Sequence, residues 1–130
     1  MILIGHRFIP SEPLYHIGAI DAIEKTPPSS VVYFEFSEAN LDIIEHCRLN
    51  DVPFALYAAT LTEAVYASAL GALYIVIPKE LAKTTQKIAD AYLFDAKILV
   101  SCDDEEEIEE LAILGVDGVI FPNGIVKVNS

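Results

Sequence analysis

Short apolar runs alternate along the chain with stretches in which apolar residues recur every three or four positions. The runs have the length and flanking turn signals of strands, and the periodic stretches have those of amphipathic helices. The alternation is typical of a parallel sheet covered by helices. The pattern predicts strands at 2–4, 31–36, 52–58, 72–77, 97–101 and 118–121, with a short edge strand in the tail, and helices over 13–25, 38–50, 79–94 and 103–114 and from about Leu61.

The length of the chain limits how far this alternation can extend. It has 130 residues and no low-complexity linker, which predicts a single α/β domain over 1–130. A complete (β/α)8 barrel needs eight strands and about 250 residues. About six parallel strands therefore predict either an incomplete (β/α) barrel or an open, flavodoxin-like sheet.

Composition and charge narrow the partners. The chain is 53% hydrophobic with a mean hydropathy of +0.42, yet no apolar run reaches the roughly 18 residues that span a bilayer. We expect this high apolar content, together with the unpaired edges of an incomplete barrel, to support a homo-oligomer, most simply a dimer. The net charge of −12 argues against nucleic acid and anionic membranes as partners.

The cysteines and the N-terminus predict a location. Cys47 and Cys102 are isolated and form no CxxC pattern, so they are interpreted as reduced thiols. No signal-peptide pattern precedes Arg7. Both observations predict a cytoplasmic protein.

Candidate chemistry gathers where the strands end. His6 and Arg7 follow the first strand, and the carboxyl ends of parallel strands are where α/β folds place their sites. An arginine there can give an anion two parallel hydrogen bonds. Asn123 and Gly124 form a turn after the last strand, which is interpreted either as part of an anion-binding loop or as a simple turn.

Glu35 lies in an apolar strand and is expected to need a cationic partner. We expect that partner to be Arg7, either as a structural ion pair or within a ligand-binding site. His16 falls on the predicted first helix, where it is either a core residue or close to His6. The five acids 103–107 begin a predicted helix, whose dipole they complement.

Two segments, ILIGHRF (2–8) and VSCDDEEEIEELAILGVDGVIFP (100–122), resemble the first strand and the closing segment of the glycerophosphodiester phosphodiesterases. In that family the His-Arg pair serves the phosphodiester, and a Glu-x-Asp at the end of the second strand binds a divalent metal. The resemblance assigns these roles to His6, Arg7 and Glu35. Ser37 stands where the Asp would be, and the family's second catalytic His has no counterpart.

The departures shape the functional expectation. Glu35 with Glu38 is the remaining carboxylate pair for Mg²⁺ or Ca²⁺, although such ions prefer several oxygen ligands. We therefore expect a non-catalytic relative that binds a small phosphorylated or carboxylate metabolite, without a required cofactor, through the residues His6, Arg7, Glu35, Asn123 and Gly124. The alternatives are a metal-dependent phosphoric ester hydrolase with altered ligands and an oligomeric interaction module without a small ligand.

Overall fold

The computed structural model describes residues 1–129, and within them eight strands form one parallel sheet. The order across the sheet is β1-β7-β6-β5-β4-β3-β2-β8, and every neighbouring pair is parallel. The sheet curls into an open half-barrel. The predicted parallel α/β sheet is confirmed, but the predicted number of six strands is wrong. The strands are Ile2–Ile4 (β1), Leu14–His16 (β2), Val31–Glu35 (β3), Phe54–Tyr57 (β4), Tyr74–Ile77 (β5), Lys97–Ser101 (β6), Gly118–Ile120 (β7) and Ile125–Lys127 (β8).

The α-helices pack on one face of the sheet and bury the alternate strand residues that point toward them. The helices are Leu41–Leu49 (α1), Leu61–Ala69 (α2), Ala82–Ala91 (α3) and Glu107–Leu114 (α4), with 3₁₀ turns at Ile20–Lys25, Glu38–Asn40, Lys79–Leu81 and Pro122–Gly124. Ile44 and Cys47 of α1 and Leu111 of α4 join strand residues such as Phe34 in this core. Within residues 1–129 the longest helix has ten residues, and none could cross a membrane.

The concave face of the sheet has its own core. Seven buried residues, one from each of β1 to β7, contact one another there without a helix between them. A cluster with a member on every one of these strands forms only if the sheet curls around it, so apolar side chains fill the interior of the half-barrel. The seven are Ile4, Leu14, Tyr33, Ala55, Val76, Leu99 and Ile120.

The two edges of the sheet approach each other at one corner. β1 and β8 share no ladder, but Gly5 follows β1 directly and Gly124 precedes β8 directly. A Cβ on Gly5 would lie 2.3 Å from the backbone nitrogen of Gly124, and Gly5 has a φ of +84°. A residue without a side chain is therefore required at this contact.

The predicted helix over 13–25 is wrong. Residues Leu14–His16 form a strand between β3 and β8, and only Ile20–Lys25 is helical, as a 3₁₀ helix. The spacing of three between Ile17, Ile20 and Ile23 fits the 3₁₀ period as well as it fits an α-helix. His16 consequently lies at the end of a strand and not on a helix.

Candidate functional site

Polar side chains from distant parts of the sequence meet at the carboxyl end of the sheet. The loop 5–13 follows β1, the acidic loop (102–106) follows β6, and the 3₁₀ turn Pro122–Gly124 follows β7. Because β1, β7 and β6 are neighbours in the sheet, their carboxyl ends lie side by side. This strand order brings His6 and Arg7 to the acidic loop.

Arg7 and Glu105 form a forked ion pair. The Arg7 Nε donates to Glu105 Oε1 at 2.7 Å, and Nη2 donates to Oε2 at 3.1 Å. These hydrogen bonds lower the pKa of the Glu105 carboxyl from its ordinary value and raise the pKa of the guanidinium. The Arg7 side chain is nevertheless 65% exposed, so three of its five N–H donors remain for another acceptor.

His6 is the buried member of the same cluster. Its side chain is only 8% exposed, and its ring lies edge-on to the rings of Phe8 and Phe121 at 5.1 and 5.3 Å. Its Nδ1 accepts the Phe8 N–H at 3.1 Å, so the proton of the neutral ring lies on Nε2. That Nε2 lies 3.1 Å from Glu105 Oε1, so the imidazole stands beside the same carboxylate that Arg7 holds.

A cavity of about 430 Å³ opens beside this cluster. It is lined by His6 and Arg7 on the loop 5–13 and by Asn123 and Gly124 on the turn after β7. The structure thus brings together four of the five ligand residues expected from the sequence. The Gly124 N–H donates to the Phe121 carbonyl at 2.8 Å within the turn, so it is not free to bind an anion as in a glycine loop. The turn therefore contributes the Asn123 side chain to the cavity.

The loop 5–13 is shaped by its own hydrogen bonds. The Gly5 N–H donates to Ser11 Oγ at 3.1 Å, which closes the loop after β1. The Ser11 hydroxyl hydrogen stays free to donate. Phe8, Ile9 and Val126 give the cavity apolar walls.

Glu35, the fifth expected ligand residue, lies in a separate cluster. Its Oε1 is 3.3 Å from His16 Nε2, across the neighbouring ends of β3 and β2. The predicted Arg7–Glu35 pair is wrong, because β2 and β4 flank β3 while β1 pairs with β7 at the other edge of the sheet. His16 is the partner of Glu35, and Glu105 is the partner of both His6 and Arg7.

Tyr33 lies beneath the His16–Glu35 pair. Its ring centroid is 5.1 Å from that of His16. Burial raises the pKa of its phenol above the ordinary value, and the nearby Glu35 and Tyr57 add to the rise. The carboxyl ends of β2, β3 and β4 therefore present an imidazole, a carboxylate and two phenols on one face.

Glu35 and Glu38, the two residues expected to bind a metal, do not make a complete ligand set by themselves. Ser37 Oγ accepts the Ala39 N–H at 3.1 Å and caps the 3₁₀ turn that Glu38 begins. Within residues 1–129 no group of three or more His, Cys, Asp or Glu side chains could hold a metal ion. Glu35 and Glu38 offer fewer oxygens than Mg²⁺ or Ca²⁺ prefers, so a metal at these two residues stays a prediction.

A larger cavity, of about 650 Å³, lies at the opposite end of the sheet, between the loops that follow α1 and α2. Its lining includes Cys47, Arg48 and Asp51. Burial raises the pKa of the Cys47 thiol to about 11, so this thiol is a poor nucleophile near neutral pH. We therefore place the candidate site at the carboxyl end.

Nothing in the local sequence distinguishes Glu105 from the neighbouring acids of the predicted helix start, and it lies 98 positions from Arg7. One signal was available: the acids follow β6, so they lie at the same end of a parallel sheet as Arg7. The chain matches no protein-family model and no curated protein.

Proposed function

We propose that this protein binds a small oxyanion, a phosphate or carboxylate group, in the cavity beside Arg7, and that it does so without catalysis. The observation that carries the proposal is the convergence of His6, Arg7, Asn123 and Gly124 on one cavity at the carboxyl end of a parallel sheet. Three free N–H donors of Arg7, the Asn123 amide and the Ser11 hydroxyl supply the hydrogen bonds that an oxyanion needs.

The local charge also supports an oxyanion at this place. The chain carries only eight Lys and Arg against twenty Asp and Glu, so few cationic donors are available to any cavity. Arg7 and Arg48 are its two arginines, and Arg7 is the one at the carboxyl end of the sheet. A planar guanidinium binds phosphate or carboxylate with two hydrogen bonds, which a lysine does not match.

We further propose that the chain is a degenerate relative of the glycerophosphodiester phosphodiesterases. The His-Arg strand end and the half-barrel scaffold support this relationship. Ser37 argues for binding over hydrolysis, since its hydroxyl caps a turn at the position expected for a metal-binding Asp. The two cysteines are free and buried, which supports the proposed cytoplasmic location.

The proposal is tested by titrating the full chain with inorganic phosphate and following the backbone amide signals by NMR. Arg7→Ala should weaken binding about tenfold or more, because it removes the charged fork. Arg48→Ala is the matched control: it removes the same charge at the opposite end of the sheet and should leave the affinity within about twofold. Equal losses in both variants, or no binding by the wild type and by any of its variants, would overturn the proposal.

A second candidate function is a hydrolase with an altered ligand set. The close approach of His16 to Glu35 favours it, because an imidazole and a carboxylate then share one strand end. Under our leading proposal, a chromogenic phosphodiester supplied with Mg²⁺, Mn²⁺ or Ca²⁺ should show no robust turnover. Robust turnover that disappears in Glu35→Gln would favour the hydrolase instead.

A further inference from the structure

We propose that Glu105 is an internal, competing ligand of the His6–Arg7 pair, which an external oxyanion displaces when it binds. This inference rests on the proposed function and adds how that same site is regulated. The Glu105 carboxylate would then hold the Arg7 guanidinium in the free protein and release it in the bound one.

The Glu105 carboxylate occupies the Nε–Nη2 edge of the Arg7 guanidinium and does not itself line the cavity beside Arg7. It accepts hydrogen bonds from Arg7 Nε at 2.7 Å and Arg7 Nη2 at 3.1 Å, and it faces His6 Nε2 at 3.1 Å. An oxyanion that enters this cavity and binds the remaining N–H donors competes with Glu105 for the same guanidinium charge. A forked guanidinium with an imidazole nitrogen beside it is an arrangement that a free carboxylate or phosphate group also fits. The chain itself therefore shows which chemistry this arrangement accepts.

The donors are held in place by contacts that do not involve Glu105. His6 is fixed by the Phe8 N–H on its Nδ1 and by the Phe121 ring, and its side chain is 8% exposed. The Arg7 guanidinium lies over the Phe8 ring, 4.1 Å from the centroid. The site consequently keeps its shape when the carboxylate leaves.

The Glu105 side chain can leave Arg7 without unfolding the helix that follows it. Asp103 to Glu106 are all exposed, and α4 begins only at Glu107. Lys79 holds the start of α4 independently, through Glu107 at 2.8 Å and Glu110 at 3.4 Å. The Asp104 and Glu105 carbonyls accept the Glu107 and Ile108 N–H groups at 3.0 and 3.1 Å, so displacement of Glu105 needs only a rotation of its side chain.

The charge of Arg7 makes binding of Glu105 and binding of an external oxyanion compete with each other. Glu105 neutralises Arg7 in the free protein, and an incoming oxyanion takes over that role while Glu105 returns to water. The two anions do not both fit beside one guanidinium without repelling each other. Removing the Glu105 charge should therefore strengthen binding of an external anion.

The experiment compares the full-length variants Glu105→Gln and Glu106→Gln, each titrated with inorganic phosphate. Both remove one negative charge from the acidic loop, but the side-chain contacts of His6 and Arg7 are to Glu105 and not to Glu106. We expect Glu105→Gln to bind phosphate about fivefold more tightly than Glu106→Gln, since an exposed ion pair is a modest competitor. In the wild type, saturating phosphate should shift the amide signals of 103–106 together with those of 5–8.

The outcomes separate this inference from the proposed function. Equal affinities in the two variants, or signals of 103–106 that stay in place while those of 5–8 move, would overturn the inference and leave anion binding intact. The absence of Arg7-dependent phosphate binding in every variant would overturn both. An affinity gain in Glu105→Gln that disappears when Arg7→Ala is added would support both.

Discussion

Each α-helix described within residues 1–129 ends with one residue whose φ is positive. The next N–H then donates to the carbonyl five residues before it, as from Phe94 to Ala89 at 2.9 Å. This Schellman ending requires a left-handed residue, which glycine adopts without strain. The four residues are Asp51 (φ 54°), Gly71 (φ 93°), Leu93 (φ 53°) and Gly115 (φ 87°).

Leu93 is the position where this helix ending causes the most backbone strain. A leucine in the left-handed region is strained, and its side chain is 84% exposed, so it gains little from packing. Leu93→Gly should therefore raise the free energy of unfolding by about 0.5–1 kcal/mol, as measured by chemical denaturation. The control Leu49→Gly changes a 76% exposed leucine at the last position of α1 and should lower it instead. Destabilisation in both variants would contradict the argument.

Tyr33 should make stability depend on alkaline pH. Its folded pKa lies above the ordinary value of 10.0, so above about pH 10 the unfolded chain loses a proton that the folded chain keeps. The free energy of unfolding should then fall with rising pH, by up to about 1.4 kcal/mol per pH unit for this group. Burial of the Cys47 thiol acts in the same direction, from its ordinary value of 9.0 to about 11.

Denaturation curves from pH 8 to about pH 11 test this expectation. Tyr33→Phe removes the buried phenol and should flatten the decline. Tyr92→Phe removes an exposed phenol and serves as the matched control. If the free energy of unfolding falls equally steeply with pH in the two variants, ionisation of Tyr33 does not cause the loss of stability.

The helices with clear end signals were predictable from local sequence. The helix expected over 38–50 is present as the 3₁₀ turn Glu38–Asn40 followed by α1, and that expected over 79–94 as Lys79–Leu81 followed by α3. The capping-box spacing of Thr60 and Glu63 marks the start of α2, and the Glu63 N–H donates to Thr60 Oγ1 at 3.2 Å. The Glu63 carboxylate accepts a hydrogen bond from the Ala59 N–H at 2.9 Å.

Thr60 should contribute measurably to α2. Thr60→Ala leaves the Glu63 N–H without its acceptor, so we expect the free energy of unfolding to fall by about 1 kcal/mol. Thr62→Ala makes the same change two residues later at an exposed helical position, where alanine is the better helix former. Its stability should stay the same or rise slightly, and equal losses in the two variants would contradict the capping role.

β2 shows where local sequence stops being sufficient. Three residues are too few to display the alternation of a strand, and Leu14 and Ile17 fit a helical spacing as well. Long-range pairing decides the outcome, since Leu14 lies opposite Val31 of β3 and Ile125 of β8. The strand exists because two other strands provide its hydrogen-bond partners.

At the scale of the molecule, the same missing strand explains the error in the site. Without β2, the strand that carries Glu35 would be the second in the chain and a natural neighbour of β1. With β2 inserted and β1 paired to β7, Arg7 meets Glu105 and Glu35 meets His16. Residue types and the end of the sheet were predictable, but the pairs depend on strand order.

The homo-oligomer stays a prediction, and the structure suggests which surface supports it. The edges of the sheet meet at the Gly5–Gly124 corner, while β1 and β8 form no ladder with each other. Leu49, Tyr92 and Ile113 are large apolar side chains that are strongly exposed near the ends of α1, α3 and α4. Light scattering at micromolar concentration should give twice the chain's mass, and a monomer mass would contradict the prediction.

The contact between the two sheet edges should be the most sensitive point of the fold. Gly5→Ala places a Cβ 2.3 Å from the Gly124 nitrogen and forces alanine into a φ of +84°. Backbone strain and overpacking together should lower the free energy of unfolding by roughly 3 kcal/mol.

Two further glycine variants show whether the contact itself is responsible. Gly124→Ala approaches the same contact from the other side, at 2.7 Å from Ile4 Cγ2, and should also destabilise, though less because its φ is not positive. Gly18→Ala meets nothing within 4 Å and should change stability by no more than about 0.5 kcal/mol in chemical denaturation. If Gly5→Ala behaves like Gly18→Ala, the edges do not touch in solution and the half-barrel is open at this corner. The expected ranking, with Gly5 most sensitive, Gly124 next and Gly18 tolerant, would instead mean that this contact holds the loop carrying His6 and Arg7 beside the turn carrying Asn123.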